Sequence, residues 1–330
     1  MKKAVRIVLR VLLGLVLALV LAFVVMMVIV PAAERPAMTP VPGSERWMAD
    51  LGDDRLLSEL VLPGTHDSAT RNVQLAYITK CQCLGIGEQL EAGFRYLDIR
   101  LGVDEATGGL KLMHGFTNCT VGPWLWSEPL SLEAVLAECF AFLEANPSET
   151  VVFAVKYEHP SVPTAEFERM LDACILQTPE KWLLTDRLPT LGEARGKLVL
   201  FLRCADEAGL GTSAGIPFLW ADQNLREDVR LHTTAEENGA YTLWVQDRFH
   251  YDAEEKWAAF TAGMENGAAD AGAVSLNFLS TAGPAAYGHP YKYAKELNRR
   301  LMELDDLSGW IVLDFGTPAL AEHIYASNFE

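Results

Sequence analysis

The sequence predicts an α/β fold: an irregular (β/α)8 TIM-type barrel preceded by one N-terminal transmembrane helix. Three observations carry that expectation. From residue 46 onward, short β-rich runs alternate with helical patterns. One long apolar run stands apart from them at the N-terminus. Ionisable side chains recur just where the apolar runs end, and barrel enzymes collect their reactive groups at the C-terminal ends of strands.

Lys2, Lys3, Arg6 and Arg10 lead into an uncharged run from Val11 to Val30. Twenty helical residues span about 30 Å, the thickness of a bilayer hydrocarbon core. A cleaved signal peptide has a shorter apolar segment and a small-residue cleavage site, and only PAAER follows here. The expected order is a cytoplasmic basic segment (1–10), a transmembrane signal anchor (11–30) and an extracytoplasmic remainder, because the basic charge precedes the span. Cleavage, giving a secreted protein, is the alternative. Pro31, Pro36, Pro40 and Pro42 make 31–45 a stiff, Pro-rich stalk, and 46–330 forms the barrel domain.

Within that domain, strands are expected at Leu60–Leu62, Phe94–Leu101, Leu110–Met113, Val151–Tyr157, Lys197–Leu202, Thr242–Gln246, Val274–Phe278 and Trp310–Leu313. The Pro63-Gly64 pair reads as a break that ends the first of them. ATGG reads as the turn of a direct hairpin between the second and third, which makes the barrel irregular. Helical patterns occupy Leu130–Pro147, AEFERMLDACIL, AEEKWAAFTAGMENG and YKYAKELNRRLMEL. There is no GxGxxG loop or P-loop.

Composition narrows the chemistry. Without the four N-terminal basic residues, 23 basic face 44 acidic ones, a balance of about −21. Such a domain is repelled by nucleic acid and by anionic lipid surfaces, so chemistry on an anion needs a local basic site. The six cysteines form no CxxC pattern and no zinc-like pairing with histidine. One or two disulfides are open, Cys81 or Cys83 with Cys119 being the expected pair and buried free thiols the alternative.

Polar residues at the strand ends form a short series: His66 and Asp67, Asp98 and Arg100, His114, Lys156 and Glu158, Arg203, Asp247 and Arg248, Asn277, and Asp314. An acidic domain that places so many of its few cations on one rim has a site there. Of the seven histidines, His66 and His114 stand out because each ends an apolar run and precedes a turn or small residue. Two imidazoles on one rim suit general acid–base work near neutral pH. Nothing resembles HExxH or a tight zinc cluster. Calcium or magnesium needs converging carboxylates, and Arg100, on the same strand face as Asp98, repels a divalent ion. An anion, most naturally a phosphate, is the expected ligand, with no metal and no cofactor.

The runs PGTHDSAT, GFRYLDIRLG, LMHG, NPSETVVFAVKYE, RGKLVLFLR, LWVQDRF, SLNFLS and GWIVLDF resemble, in order, the bacterial phosphatidylinositol-specific phospholipase C family of the X-domain type. The resemblance covers essentially everything after the stalk. It implies an irregular barrel and a two-histidine phosphodiesterase that yields diacylglycerol and inositol 1,2-cyclic phosphate. His66 is then the general base and His114 the general acid. Arg100 holds the phosphate oxygens, Asp314 orients His66, Asp67 supports His114 and Arg100, and Asp98 stands beside Arg100. Lys156, Arg203 and Asp247 match positions that bind inositol hydroxyls. Calcium-dependent members carry a carboxylate where Arg100 stands, so the resemblance implies metal-independent activity. One departure is Phe249, where the family has a tyrosine that stacks on the inositol ring.

The expected partner is phosphatidylinositol or glycosyl-phosphatidylinositol in a membrane, reached through the N-terminal helix. Trp124, Trp126 and Tyr287 read as rim aromatics suited to a lipid interface. The competing readings are a non-catalytic inositide- or glycan-binding barrel and a metal-dependent phosphodiesterase acting on another phosphodiester lipid.

Overall fold

The computed structural model describes residues 2–124, 126–223, 231–233, 241–269, 273–285 and 288–329. Its strands are β1 (Leu62–Thr65), β2 (Tyr96–Val103), β3 (Leu110–His114), β4 (Thr117–Asn118), β5 (Val151–Tyr157), β6 (Trp182–Leu183), β7 (Leu198–Leu202), β8 (Ile216–Pro217), β9 (Leu231–Thr233), β10 (Thr242–Gln246), β11 (Ala273–Phe278) and β12 (Trp310–Leu313). One sheet joins them in the order β6-β7-β5-β2-β1-β12-β11-β10-β9, with β3 beside β2, β4 beside β3, and β8 beside β7. The ladders from β6 through β7, β5, β2, β1, β12 and β11 to β10 are parallel. β3 turns back on β2 and β9 pairs antiparallel with β10.

Side-chain parity curls this sheet into a barrel. Along β2, Tyr96 points in while Leu97, Ile99 and Leu101 point out. The same alternation puts Val152, Ala154, Val199, Phe201, Leu243, Val245, Leu276, Trp310 and Val312 in one buried inner cluster. The Phe201 and Trp310 rings meet at 5.3 Å although β7 and β12 are four ladders apart, which only a curled sheet permits. Among the described residues no ladder joins β8 to β10, so the seam is bridged by side chains. The outward set packs against helices Ile86–Glu91, Leu132–Ala145 and Thr164–Ile175. Ile311 and Leu313 are covered by helices Ala253–Ala269, Pro290–Leu301 and Pro318–Ala326.

The N-terminal ends of the strands are closed by the segment Ser44–Asp50, which buries Trp47 and Met48. A fully buried ion pair fixes it. Arg95 Nη2 meets Glu149 Oε2 at 2.9 Å and donates to the Ser44 and Glu45 carbonyls, while Nη1 donates to Leu90 and Phe94. Every donor of the guanidinium has a partner, which is the condition for burying a charge without a large penalty.

All eight expected strands and four expected helices are present, and the ATGG hairpin joins β2 to β3. The first strand corrects the reading of Pro-Gly as a break. β1 runs through both residues, with Pro63 opposite Ile311 and Gly64 opposite Val312. Proline is tolerated because its carbonyl, not an N–H, is what the neighbour needs: Arg95 N donates to it at 2.9 Å. Gly64 is a close-approach glycine, since a Cβ would lie 2.9 Å from the Tyr96 ring and 3.1 Å from Val312. The chain turns later, at Asp67, whose φ is 44°. The cysteine expectation is also corrected: all six are free. Cys81 faces the His114 ring, Cys83 donates to the Glu34 carbonyl and Cys119 is packed in the outer core, so none faces another.

At the N-terminus, Lys2–Val24, Val25–Ile29 and Val30–Ala33 form one uninterrupted helical rod. The stretch Lys3–Ala33 is long and apolar enough to cross a membrane, as a membrane anchor or signal segment does.

Candidate active site

Inward parity, followed two residues past the last apolar side chain, leads to the site. Leu62 and Gly64 lead to His66, Tyr96 to Asp98 and Arg100, Ala154 to Lys156, Phe201 to Arg203, Val245 to Asp247, and Val312 to Asp314. Of the residues so reached, all but Asp98, which stands against Arg100, meet in a cavity of about 560 Å³, lined also by His114, Glu158, Trp220, Asp222 and Phe249. His114 arrives differently. β2 overshoots the rim, and β3 pairs with the overshoot (Leu101 opposite Leu112) and runs back down. Its last residue, His114, returns one position below the level of Arg100.

Asp67 is the hub. Its Oδ2 lies 3.2 Å from His66 Nε2 and 3.2 Å from His114 Nε2, and its Oδ1 lies 3.2 Å from Arg100 Nε. The imidazole centroids are 6.1 Å apart and nearly perpendicular. Each ring is fixed from its far side. His66 Nδ1–H donates to Asp314 Oδ1 at 2.8 Å, and His114 Nδ1 is 2.7 Å from the Thr79 carbonyl. A carbonyl only accepts, so that proton sits on Nδ1 and Nε2 of His114 faces the cavity. Gln82 staples β1 to β12 beneath the site, donating to the carbonyls of His66 and Leu313.

Arg100 is held by three carboxylates: Asp67, Asp98 Oδ2 at 3.0 Å from Nη2, and Glu158 Oε1 at 3.2 Å from Nη1. Glu158 also pairs with Lys156 at 2.5 Å and accepts from Gly115 N at 3.0 Å. On the far wall, Arg203 lies 3.6 Å over the Trp220 ring and the Trp220 indole donates to Asp247 at 3.1 Å.

The electrostatics follow from these contacts. Burial works to lower the His66 pKa, but Asp314 and Asp67 outweigh it and raise it to about 9. Burial also opposes ionisation of Glu158, yet Arg100 and Lys156 hold that carboxyl well below its ordinary range. For Asp67, burial pushes upward against Arg100, His114 and His66. The Cys81 thiol is pushed up by burial and the nearby carboxylates, which leaves it a poor nucleophile.

The site can therefore offer one imidazole held by a carboxylate, a second held by a carbonyl, and a guanidinium between them. His66, Asp67 and Cys81 also bring one donor atom each within 4.8 Å of one another. Arg100 competes there for the Asp67 carboxylate.

All ten expected site residues reach this cavity or its immediate wall. Arg248 and Asn277 of the rim series do not line it: the Asn277 amide donates to Phe260 O and its oxygen accepts from Gln246. Glu158 was in that series without a role. Thr79, Gln82 and Trp220 carry no signal in a single sequence, because two act through or upon backbone carbonyls and the third lies outside the expected strands. Trp124 and Trp126 are exposed at 55% and 79% and stack on each other. Tyr287 lies outside the described residues.

The profile of the PI-PLC X family matches residues 53–209. The 1-phosphatidylinositol phosphodiesterase of Staphylococcus aureus is 29% identical over 292 residues, covering 82% of this chain and 88% of the relative. That of Listeria monocytogenes is 31% identical over 170 residues, 48% of each chain. Among solved structures, a variant of the phosphatidylinositol-specific phospholipase C from S. aureus aligns with a TM-score of 0.71 at 24% identity, over 86% of this chain and 98% of that one. The L. monocytogenes enzyme gives 0.64 at 22%, over 86% and 98%. At these identities the structures establish the barrel.

Proposed function

The chain belongs to the bacterial phosphatidylinositol-specific phospholipase C family, and from that premise we propose that it is a membrane-anchored, metal-independent phosphodiesterase of phosphatidylinositol or glycosyl-phosphatidylinositol. The observation that carries the reading is the pair of imidazoles flanking one carboxylate, with Arg100 on the same carboxylate. His66 Nε2 takes the proton of the inositol 2-hydroxyl. That oxygen forms a bond to phosphorus as the bond from phosphorus to the glycerol oxygen breaks. His114 Nε2–H protonates the leaving oxygen, giving diacylglycerol and inositol 1,2-cyclic phosphate. Arg100 faces the non-bridging oxygens and offsets their charge. Asp314 fixes the base and Asp67 supports the acid and Arg100, while Asp98 holds Arg100 from behind.

Lys156, Arg203 and Asp247 supply donors and an acceptor for the ring hydroxyls, and the Phe249 ring gives an apolar surface for its face. A tyrosine there would add a hydroxyl contact that this chain lacks. Arg100 already places a positive charge where a divalent ion would act, and this favours metal-independence. The uncharged run Val11–Val30 and the continuity of the helix favour an anchor over a cleaved signal, with the barrel on the extracytoplasmic side.

The test is phosphorus NMR of the purified full-length protein with phosphatidylinositol micelles in excess EDTA. Appearance of the cyclic phosphate supports the reading. Binding without turnover supports a non-catalytic module, and turnover that EDTA abolishes supports metal dependence through the His66, Asp67 and Cys81 donors.

A further inference from the structure

The N-terminal rod does not lead into a free stalk. Immediately after the uncharged run, residues 31–35 are bound to the barrel. Lys80 Nζ donates to the Pro31 carbonyl at 3.1 Å, and Cys83 Sγ to the Glu34 carbonyl at 3.3 Å. The Glu34 carboxylate meets His289 Nε2 at 2.7 Å. His289 is itself held, stacked on Tyr77 at 4.1 Å and bonded through Nδ1 to the Tyr77 carbonyl at 2.6 Å. Pro31 is buried in this junction.

The loops that grip the rod also shape the cavity. Ile78 and Cys81, in and just after the short helix Ala76–Thr79, and Pro290, which opens the helix Pro290–Leu301, line it, and Thr79 positions His114. Outside the N-terminal rod, the described residues expose seven large apolar side chains. Four of them follow His114, Phe116 in the turn before β4 and Val121, Trp124 and Trp126 in the loop after it. Trp124 shares a groove with Met27, Val28 and Pro31, so the apolar loop and the end of the rod adjoin.

Length then sets the geometry. If Val11–Val30 fills a hydrocarbon core of about 30 Å, Pro31 lies at the outer interface. A free segment 31–45 would reach about 50 Å from it. Instead the first residue past the span already touches the barrel. We propose that residues 31–35 are a rigid strut, not a tether. It seats the barrel mouth, with Trp124 and Trp126 beside it, on the surface of the bilayer its own helix crosses. The lipid it takes is therefore lipid of that same bilayer, not of a facing membrane. The inference rests on the proposed lipid phosphodiesterase activity.

The test reconstitutes the full-length protein in vesicles of phosphatidylcholine and phosphatidylinositol. Headgroup-labelled phosphatidylinositol is placed either in those vesicles or in separate protein-free ones. The expected result is release from the host vesicle at least about tenfold faster than from the separate one. Ten Gly/Ser residues inserted between Ala33 and Glu34, or Glu34→Ala, should reduce that ratio at least about threefold. Both variants should hydrolyse water-soluble short-chain phosphatidylinositol at the wild-type rate. Equal release from both vesicles, or a ratio that the insertion leaves unmoved, overturns the strut. If short-chain substrate is not hydrolysed at all, the activity fails instead, and a second readout still decides the docking. Brominated lipid should quench the fluorescence contributed by Trp124 and Trp126, measured against W124F/W126F, in the reconstituted wild type and less after the insertion. Absence of quenching in the wild type overturns the strut.

Discussion

Replacing Asp314 by Asn tests the electrostatic core of the site most directly. The change removes one charge and keeps the shape. Asp314 Oδ1 meets His66 Nδ1 at 2.8 Å, whereas Asp67 is shared among His66, His114 and Arg100 at 3.2 Å each. Burial alone would lower the His66 pKa, so its rise from 6.5 to about 9 is the surplus of the two carboxylates over desolvation and the Arg100 charge. That surplus is about 3 kcal/mol in favour of the imidazolium, and the unshared Asp314 carries the larger part of it.

In the wild type, kcat/KM for a soluble short-chain substrate should rise with pH along a limb near 9, where free His66 loses its proton. Asp314→Asn should bring that limb to about 7 or below. The maximal rate should nonetheless fall by about 10² to 10⁴. The asparagine amide can donate to Nδ1, which puts the imidazole proton on Nε2, the atom that must accept one. Nitrogen-15 histidine NMR of the same variants follows His66 independently of turnover. A limb that stays near 9 in Asp314→Asn, or one that already lies near 6.5 in the wild type, refutes this account of the base.

Three further perturbations separate other parts of the molecule. Arg100→Lys offers one ammonium where three guanidinium nitrogens now meet Asp67, Asp98 and Glu158, so kcat should fall about 10²- to 10³-fold while the melting temperature changes little. Glu149→Gln strips the counter-charge from fully buried Arg95 and should cost about 3–5 kcal/mol by denaturant unfolding. Its kcat should be unchanged, because the pair lies at the opposite end of the barrel from the cavity. Stability should also depend on pH with a definite sign. The raised His66 pKa gives stability that is complete below about 6.5 and lost as pH rises through about 9. The depressed Glu158 gives stability present above its ordinary pKa and lost on acidification. An optimum between the two is expected, and His66→Ala should flatten its alkaline side.

Most of the fold was legible because the strands that build the wall are short, apolar and well separated. Val151–Tyr157, Thr242–Gln246 and Trp310–Leu313 stand as the apolar runs marked them. What was not legible has physical causes. β4, β6 and β8 have two residues each, too few to carry any periodicity. Pro63-Gly64 looked like punctuation because proline and glycine usually are. Here the proline needs only its carbonyl, and the glycine makes room for Tyr96 and Val312. Gln82 and Thr79 act through carbonyl contacts that depend on how distant loops fold, and a sequence does not record that.

The site itself was legible for a reason that also explains the two rim residues that went astray. In a barrel wall, a residue at a strand end faces the interior only if it shares parity with the inward apolar residues before it. Tyr96, Asp98 and Arg100 share parity, as do Phe201 with Arg203, Val245 with Asp247, and Val312 with Asp314. Arg248 and Asn277 have the opposite parity. Asn277 accordingly bonds Phe260 and Gln246 outside the cavity, and the Arg248 carbonyl accepts from buried Lys256. Parity applied at each strand end would have excluded both from sequence alone. It does not account for Asp67, which has the opposite parity to His66 and is brought to the site by the turn at its own φ of 44°, or for His114, which reaches the site only because β2 overruns the rim and β3 folds back along it. The proposed acid thus depends on a hairpin in which Leu101 stands opposite Leu112, while the proposed base depends on the barrel wall. A one-residue slip in that hairpin would turn His114 away and leave His66 in place, so the two halves of the proposed chemistry are held by separable parts of the fold.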